Sequence, residues 1–168
     1  MKVTVVAGNP KPGSRTLQAA TTLATAICGA PPTATIDVVT LGPGLLGWGD
    51  PNVAGAVAEV AASDLAVFAS PTFKATFTGV LKLFLDQFAT GDGLAGVVAV
   101  SLMLGAGPAH ALAPQVHLQP VLAEVGATCP APALYLLDSA FTTDGKITGY
   151  AGRWGRTLRH AATAKAAA

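Results

Sequence analysis

The nine residues Gly8-Asn9-Pro10-Lys11-Pro12-Gly13-Ser14-Arg15-Thr16 follow the apolar run Val3-Thr4-Val5-Val6-Ala7 and precede a helix-like stretch from Leu17 to Ile27. Two hydroxyls flanking a guanidinium at the start of a helix are chemistry for holding a phosphate. The first N–H groups of a helix lack an intrahelical partner, and the aligned peptide dipoles place partial positive charge there. An anionic ester suits that position. Ser14 can cap the helix, Thr16 adds a second hydroxyl, and Arg15 offers forked donors to phosphate oxygens. An ordinary capped helix after a loop would use the same residues. The loop carries neither G-x-G-x-x-G nor G-x-x-x-x-G-K-S/T, so a Rossmann-type dinucleotide or a nucleoside triphosphate is not its first choice of ligand.

The elements that must position this loop alternate along the chain. Strands are expected at Lys2 to Ala7, Thr35 to Val39, Leu65 to Ser70, Gly96 to Leu104 and Ala133 to Asp138. Helices are expected at Arg15 to Cys28, Val53 to Ala62, Gly79 to Phe88, about His110 to Val125 and about Gly152 to Ala166, with fraying after Ala161. Near-continuous apolar strands alternating with helices predict an α/β domain, its parallel sheet covered by helices on both faces. Five such units fit a doubly wound, flavodoxin-like plan with strand order 2-1-3-4-5. Its crevice opens where the order reverses, at the carboxyl ends of strands one and three. Three loops meet there: Gly8 to Thr16, Pro71 to Gly79, and Gly105 to Ala109.

The second of these reads Ser70-Pro71-Thr72-Phe73-Lys74-Ala75-Thr76-Phe77-Thr78-Gly79 and runs into Val80-Leu81-Lys82-Leu83-Phe84-Leu85-Asp86. With the first loop it resembles the NAD(P)H-dependent FMN reductases, above all those that feed reduced flavin to alkanesulfonate-type monooxygenases. Their first loop is similar to G-S-P-x-x-x-S-R-S/T, matched here by Gly8, Pro10, Ser14, Arg15 and Thr16. The second motif is matched by Ser70, Pro71, Thr78, Gly79, Leu81, Lys82, Leu85 and Asp86. The third is matched by Gly105, His110, Leu112, Ala113, Leu118, Pro120, Val121, Leu122 and Ala127. The resemblance spans roughly residues 3 to 138. The chain departs from it at Asn9 (usually serine), Phe73 (usually tyrosine), Leu104, Ala106 and Gly107 (usually Thr, Gly and Ser/Thr), and Val116, where sulfonate-linked reductases often carry tyrosine.

The resemblance implies an FMN site in which Asn9, Ser14, Arg15 and Thr16 hold the phosphate. Pro71, Thr72, Phe73 and Lys74 would line the isoalloxazine edge, and Gly105, Ala106 and Gly107 would approach the ring's pyrimidine end. It also implies NADPH or NADH as hydride donor and a flavin-dependent monooxygenase as partner. Hydride transfer to flavin needs no nucleophile or general base, in keeping with a sequence that offers no triad or carboxylate pair. The same fold and cofactor also serve flavin-retaining reductases of quinones, azo compounds or metal oxyanions, and non-catalytic electron carriers. Lys11, Lys74 and Arg15 are candidates for a nicotinamide 2′-phosphate. Phe73 and Phe77 could contact ring or core, His110 could touch a ligand or serve structure, and Trp48 could cover the site or pack its loop. His117 and His160 are expected to be solvated or at an interface. Lys82 and Asp86 stand at i and i+4, the spacing of a helix-surface ion pair.

Composition sets the frame. The 168 residues suit one domain, 1–168, able to bury a core without disulfides or metals. Hydrophobic residues make up 51% and charged ones 11%, which favours a homo-oligomer, a dimer or tetramer, over a solvated monomer. A formal net charge of +1 leaves no footprint for nucleic acid or acidic membrane, and is unlike the strongly acidic flavodoxins. No signal-peptide pattern and no spanning-length apolar run occur, so a cytoplasmic protein is expected. Cys28 and Cys129 have no C-x-x-C partner and are expected to be buried.

Overall fold

A computed structural model describes residues 1–164. The strands are β1 (Val3–Ala7), β2 (Ala34–Asp37), β3 (Leu65–Pro71), β4 (Val98–Gly105) and β5 (Leu134–Leu137). They form one parallel sheet in the order β2-β1-β3-β4-β5, as expected. β1 and β4 are buried along their whole length and β3 is buried up to Ser70. Covered on both faces, these strands are near-continuously apolar instead of alternating, with Thr4, Ser70 and Ser101 as their buried polar residues.

The α-helices are α1 (Arg15–Cys28), α2 (Pro51–Ala61), α3 (Gly79–Leu85), α4 (Gln119–Glu124) and α5 (Lys146–Ala164). α1 and α5 cover one face of the sheet, closing a core that includes Val5, Leu23, Ile27, Val67, Val100 and Leu158. α2, α3 and α4 cover the other, over Val6, Val60, Phe68, Phe84, Met103 and Leu122. Each fully buried side chain of this size contributes ~1.5–3 kcal/mol. Lys82 and Asp86 form the expected ion pair.

Several boundaries differ from the sequence reading. Val38 and Val39 leave the second strand and begin a 3-10 segment, Val38–Leu46, kinked at Gly42. Gly96 and Val97 belong to a turn before β4, in which the Val97 N–H bonds the Leu94 carbonyl at 2.9 Å. The single helix expected from His110 to Val125 is a 3-10 turn (Pro108–His110), a π turn (Pro114–Leu118) and α4. Pro114 and Pro120 donate no N–H and crowd the preceding turn, which breaks the regular ladder. The last helix starts at Lys146, not Gly152, because Asp144 Oδ1 accepts the Lys146 N–H at 3.0 Å. Buried Ile147 and Tyr150 anchor this added turn despite Gly149. The helix persists through Ala162, which is buried, to Ala164, and the rest of the expected frayed end, 165–168, lies outside the described residues. Cys28 and Cys129 are half-buried, not buried as expected, since both lie at the margins of the two cores. Among the described residues no helix is long and apolar enough to cross a membrane.

Candidate functional site

At the carboxyl ends of β1, β3 and β4 the three loops enclose a cleft of about 480 Å³, within the ~300–1,000 Å³ usual for small-molecule sites. The first loop leaves β1 at Gly8, whose N–H bonds the Ala69 carbonyl at 2.8 Å. A Cβ at Gly8 would lie 2.3 Å from the Cβ of Leu81, so glycine is what lets α3 cross here. Asn9 then orders the loop: its Oδ1 accepts the Lys11 N–H at 2.9 Å, and its Nδ2 donates to Thr16 Oγ1 at 3.0 Å. Asp37, at the end of β2, accepts the Gly13 N–H at 2.8 Å. Ser14 caps α1 by accepting the Leu17 N–H at 3.3 Å. The helix supplies no acceptor for the N–H groups of Arg15 and Thr16, and Thr16, accepting from Asn9, keeps its hydroxyl proton to donate.

Motif residues of the second loop brace it against the first. Ser70 Oγ accepts the Thr78 N–H at 3.0 Å and donates to the Pro71 carbonyl at 2.8 Å. Thr78 donates to the Gly8 carbonyl and accepts the Leu81 N–H, capping α3. Between them, Phe73 and Thr76 exchange two backbone hydrogen bonds around Lys74 (φ 52°) and Ala75 (φ 70°). Two left-handed central residues make this a type I′ turn. The Thr72 N–H bonds the Leu104 carbonyl at 2.6 Å. Its buried Oγ1 has no hydrogen-bond partner among the described residues.

The third loop is shaped by a residue that the sequence reading passed over. Tyr135 of β5 donates its hydroxyl to the Gly107 carbonyl at 2.7 Å. A Cβ at Gly105 would sit 1.8 Å from that hydroxyl oxygen, so only glycine leaves room for the contact.

Of the residues singled out by the sequence, Asn9, Lys11, Ser14, Arg15, Thr16, Pro71, Thr72, Phe73, Leu104, Gly105 and Ala106 line the cleft, together with Asp138. Lys74, on the exposed tip of its turn, and Gly107, whose carbonyl is engaged by Tyr135, are not among the lining residues. Phe73 is half exposed at the cleft, whereas Phe77 packs on the core. His110 and His117, both exposed, line a separate cavity of about 390 Å³. Trp48 lines another hollow beside Gln87, away from the cleft. His160 is exposed on α5. Asp138 was missed. It follows β5, and its Oδ2 accepts from Arg15 Nη1 at 2.7 Å across the cleft.

The model of the family "NADPH-dependent FMN reductase" matches residues 1–142. Among solved structures, the apo form of an NADH:FMN oxidoreductase, EmoB, is 27% identical with a TM-score of 0.81, covering 97% of this chain and 89% of that one. An oxidoreductase from Corynebacterium diphtheriae is 22% identical (TM-score 0.79, covering 97% and 96%). A flavodoxin from the domain Archaea is 17% identical (TM-score 0.59, covering 97% and 99%). These last two share the fold. No curated protein matches the sequence.

Proposed function

Since the chain belongs to the NADPH-dependent FMN reductase family, we propose that it acts as a single domain that passes a hydride from NADPH or NADH to FMN. The reduced flavin is then released to a flavin-dependent monooxygenase of the alkanesulfonate type. The chain is an oxidoreductase acting on flavin with a nicotinamide donor. The observation that carries the assignment of the site is the donor set of one cleft: an open helix N-terminus with Ser14, Arg15 and Thr16 at one end, and the unpartnered Thr72 hydroxyl at the other.

The residues present fit FMN. Ser14, Arg15 and Thr16 would take the phosphate, with charge-assisted donors where the α1 dipole favours an anion. Asn9 holds the Thr16 hydroxyl in place. A buried hydroxyl without a partner costs ~1–3 kcal/mol, so Thr72 gains when a ring heteroatom meets it. Phe73 offers a flat apolar surface, and the small side chain of Ala106, beside Gly105 in the lining, allows close backbone approach. When bound, FMN supplies the hydride-accepting ring, so the protein contributes placement and charge. Lys11, Arg15 and Lys74 remain the basic groups for a 2′-phosphate. The scarcity of charge supports a homodimer or homotetramer, acting in the cytoplasm.

The test is purified protein with NADPH or NADH and FMN, followed at the nicotinamide absorbance band. Rapid oxidation with free reduced flavin appearing in stopped flow is expected. Tight retention of flavin through turnover would point instead to a quinone-type reductase, and FMN binding without oxidation to an electron-carrying subunit.

A further inference from the structure

We propose that Asp138 limits how tightly the flavin phosphate is held, by competing with it for Arg15. This rests on the reading that places the phosphate at Ser14, Arg15 and Thr16. Asp138 is the one carboxylate among the described residues lining the cleft, facing the cations Lys11 and Arg15. Its backbone is held beside β4, its N–H bonding the Gly105 carbonyl at 2.9 Å, which keeps the carboxylate at this edge of the cleft. Arg15 Nη1 reaches Oδ2 at 2.7 Å and the Asp138 carbonyl at 3.4 Å.

Exposure sets the balance. The two side chains are 63% and 45% exposed, and pairs so solvated are weak. Arg15 can therefore exchange one anion for another at little cost. A phosphate arriving at Arg15 gains the guanidinium but lies beside the Asp138 carboxylate, which hastens its departure. A flavin that must leave once reduced is served by such a hold. The carboxylate could instead aim Arg15 at the phosphate, and that role has the opposite sign: removing it would weaken binding.

Titration of FMN and of riboflavin into the full chain, its Asp138→Asn form and its Asp138→Ala form separates these roles. Asparagine keeps an acceptor for Arg15 and removes the charge, whereas alanine removes both. Both variants should bind FMN about two- to five-fold more tightly at low salt, with the gain shrinking as salt rises and riboflavin unchanged. Unchanged or weaker FMN binding in both variants, with the wild type still preferring FMN to riboflavin, would overturn the role of Asp138 alone. A wild type that binds FMN no better than riboflavin would overturn the phosphate placement and this inference with it.

Discussion

Tyr135 and Gly105 form a matched pair: one hydroxyl occupies the space that one missing Cβ leaves open. Tyr135→Phe is expected to cost about 1 kcal/mol by losing the bond to the Gly107 carbonyl. Gly105→Ala should cost more, about 1–3 kcal/mol, because the tyrosine must move. Urea unfolding checks both, and a neutral Gly105→Ala would contradict the close approach. At this scale the sequence is legible where chemistry is local. Ser14, Arg15 and Thr16 announce themselves by type and spacing. Asp138 and Tyr135 do not: Tyr135 meets Gly105 and Gly107 only through the pairing of β5 with β4, in which Gly105 stands beside Leu137, and Asp138 meets Arg15 of α1 only once the whole sheet is assembled. A carboxylate just past a strand's carboxyl end, in a plan whose crevice lies at those ends, was the signal available for Asp138.

Thr78 joins the first two loops at the level of elements. It caps α3 and binds the carbonyl through which β1 turns into the first loop. Thr78→Ala is expected to lower stability by about 2–3 kcal/mol, combining a lost cap with a buried carbonyl left unpaired. Thr78→Ser should recover most of that in the same urea experiment, and equal losses in both variants would deny the hydroxyl its role. β1, β3 and β4 were readable as near-continuous apolar runs, whereas the less buried edge strand β2 was marked by Pro31-Pro32 before it and the order followed from the alternation of strands and helices. The segment from Pro108 to Glu124 was not readable. Its apolar spacing reads as one helix, while two prolines without N–H groups divide it into turns of different pitch. The expected start of α5 at about Gly152 fell short because packing of buried Ile147 and Tyr150 carries the helix back across Gly149.

For the molecule as a whole, burial leaves a signature in alkaline solution. Desolvation pushes the Cys129 thiol up from 9.0 to about 11 and raises Cys28 and Tyr150 as well. The folded state thus favours the neutral forms, and the unfolded chain ionises first. Stability is full below the unfolded thiol value and falls as pH rises from about 9 to about 11. Urea midpoints at about pH 8 and about pH 10.5 should show the fall, and Cys129→Ala should reduce it; an identical slope in that variant would contradict the assignment. Calorimetric titration of FMN and riboflavin into the intact protein and its Arg15→Ala form tests the phosphate placement most directly. FMN should bind the wild type more tightly than riboflavin does, and Arg15→Ala should weaken FMN by about 10- to 100-fold while sparing riboflavin. Equal FMN affinity in both proteins would contradict a phosphate held at the first turn of α1.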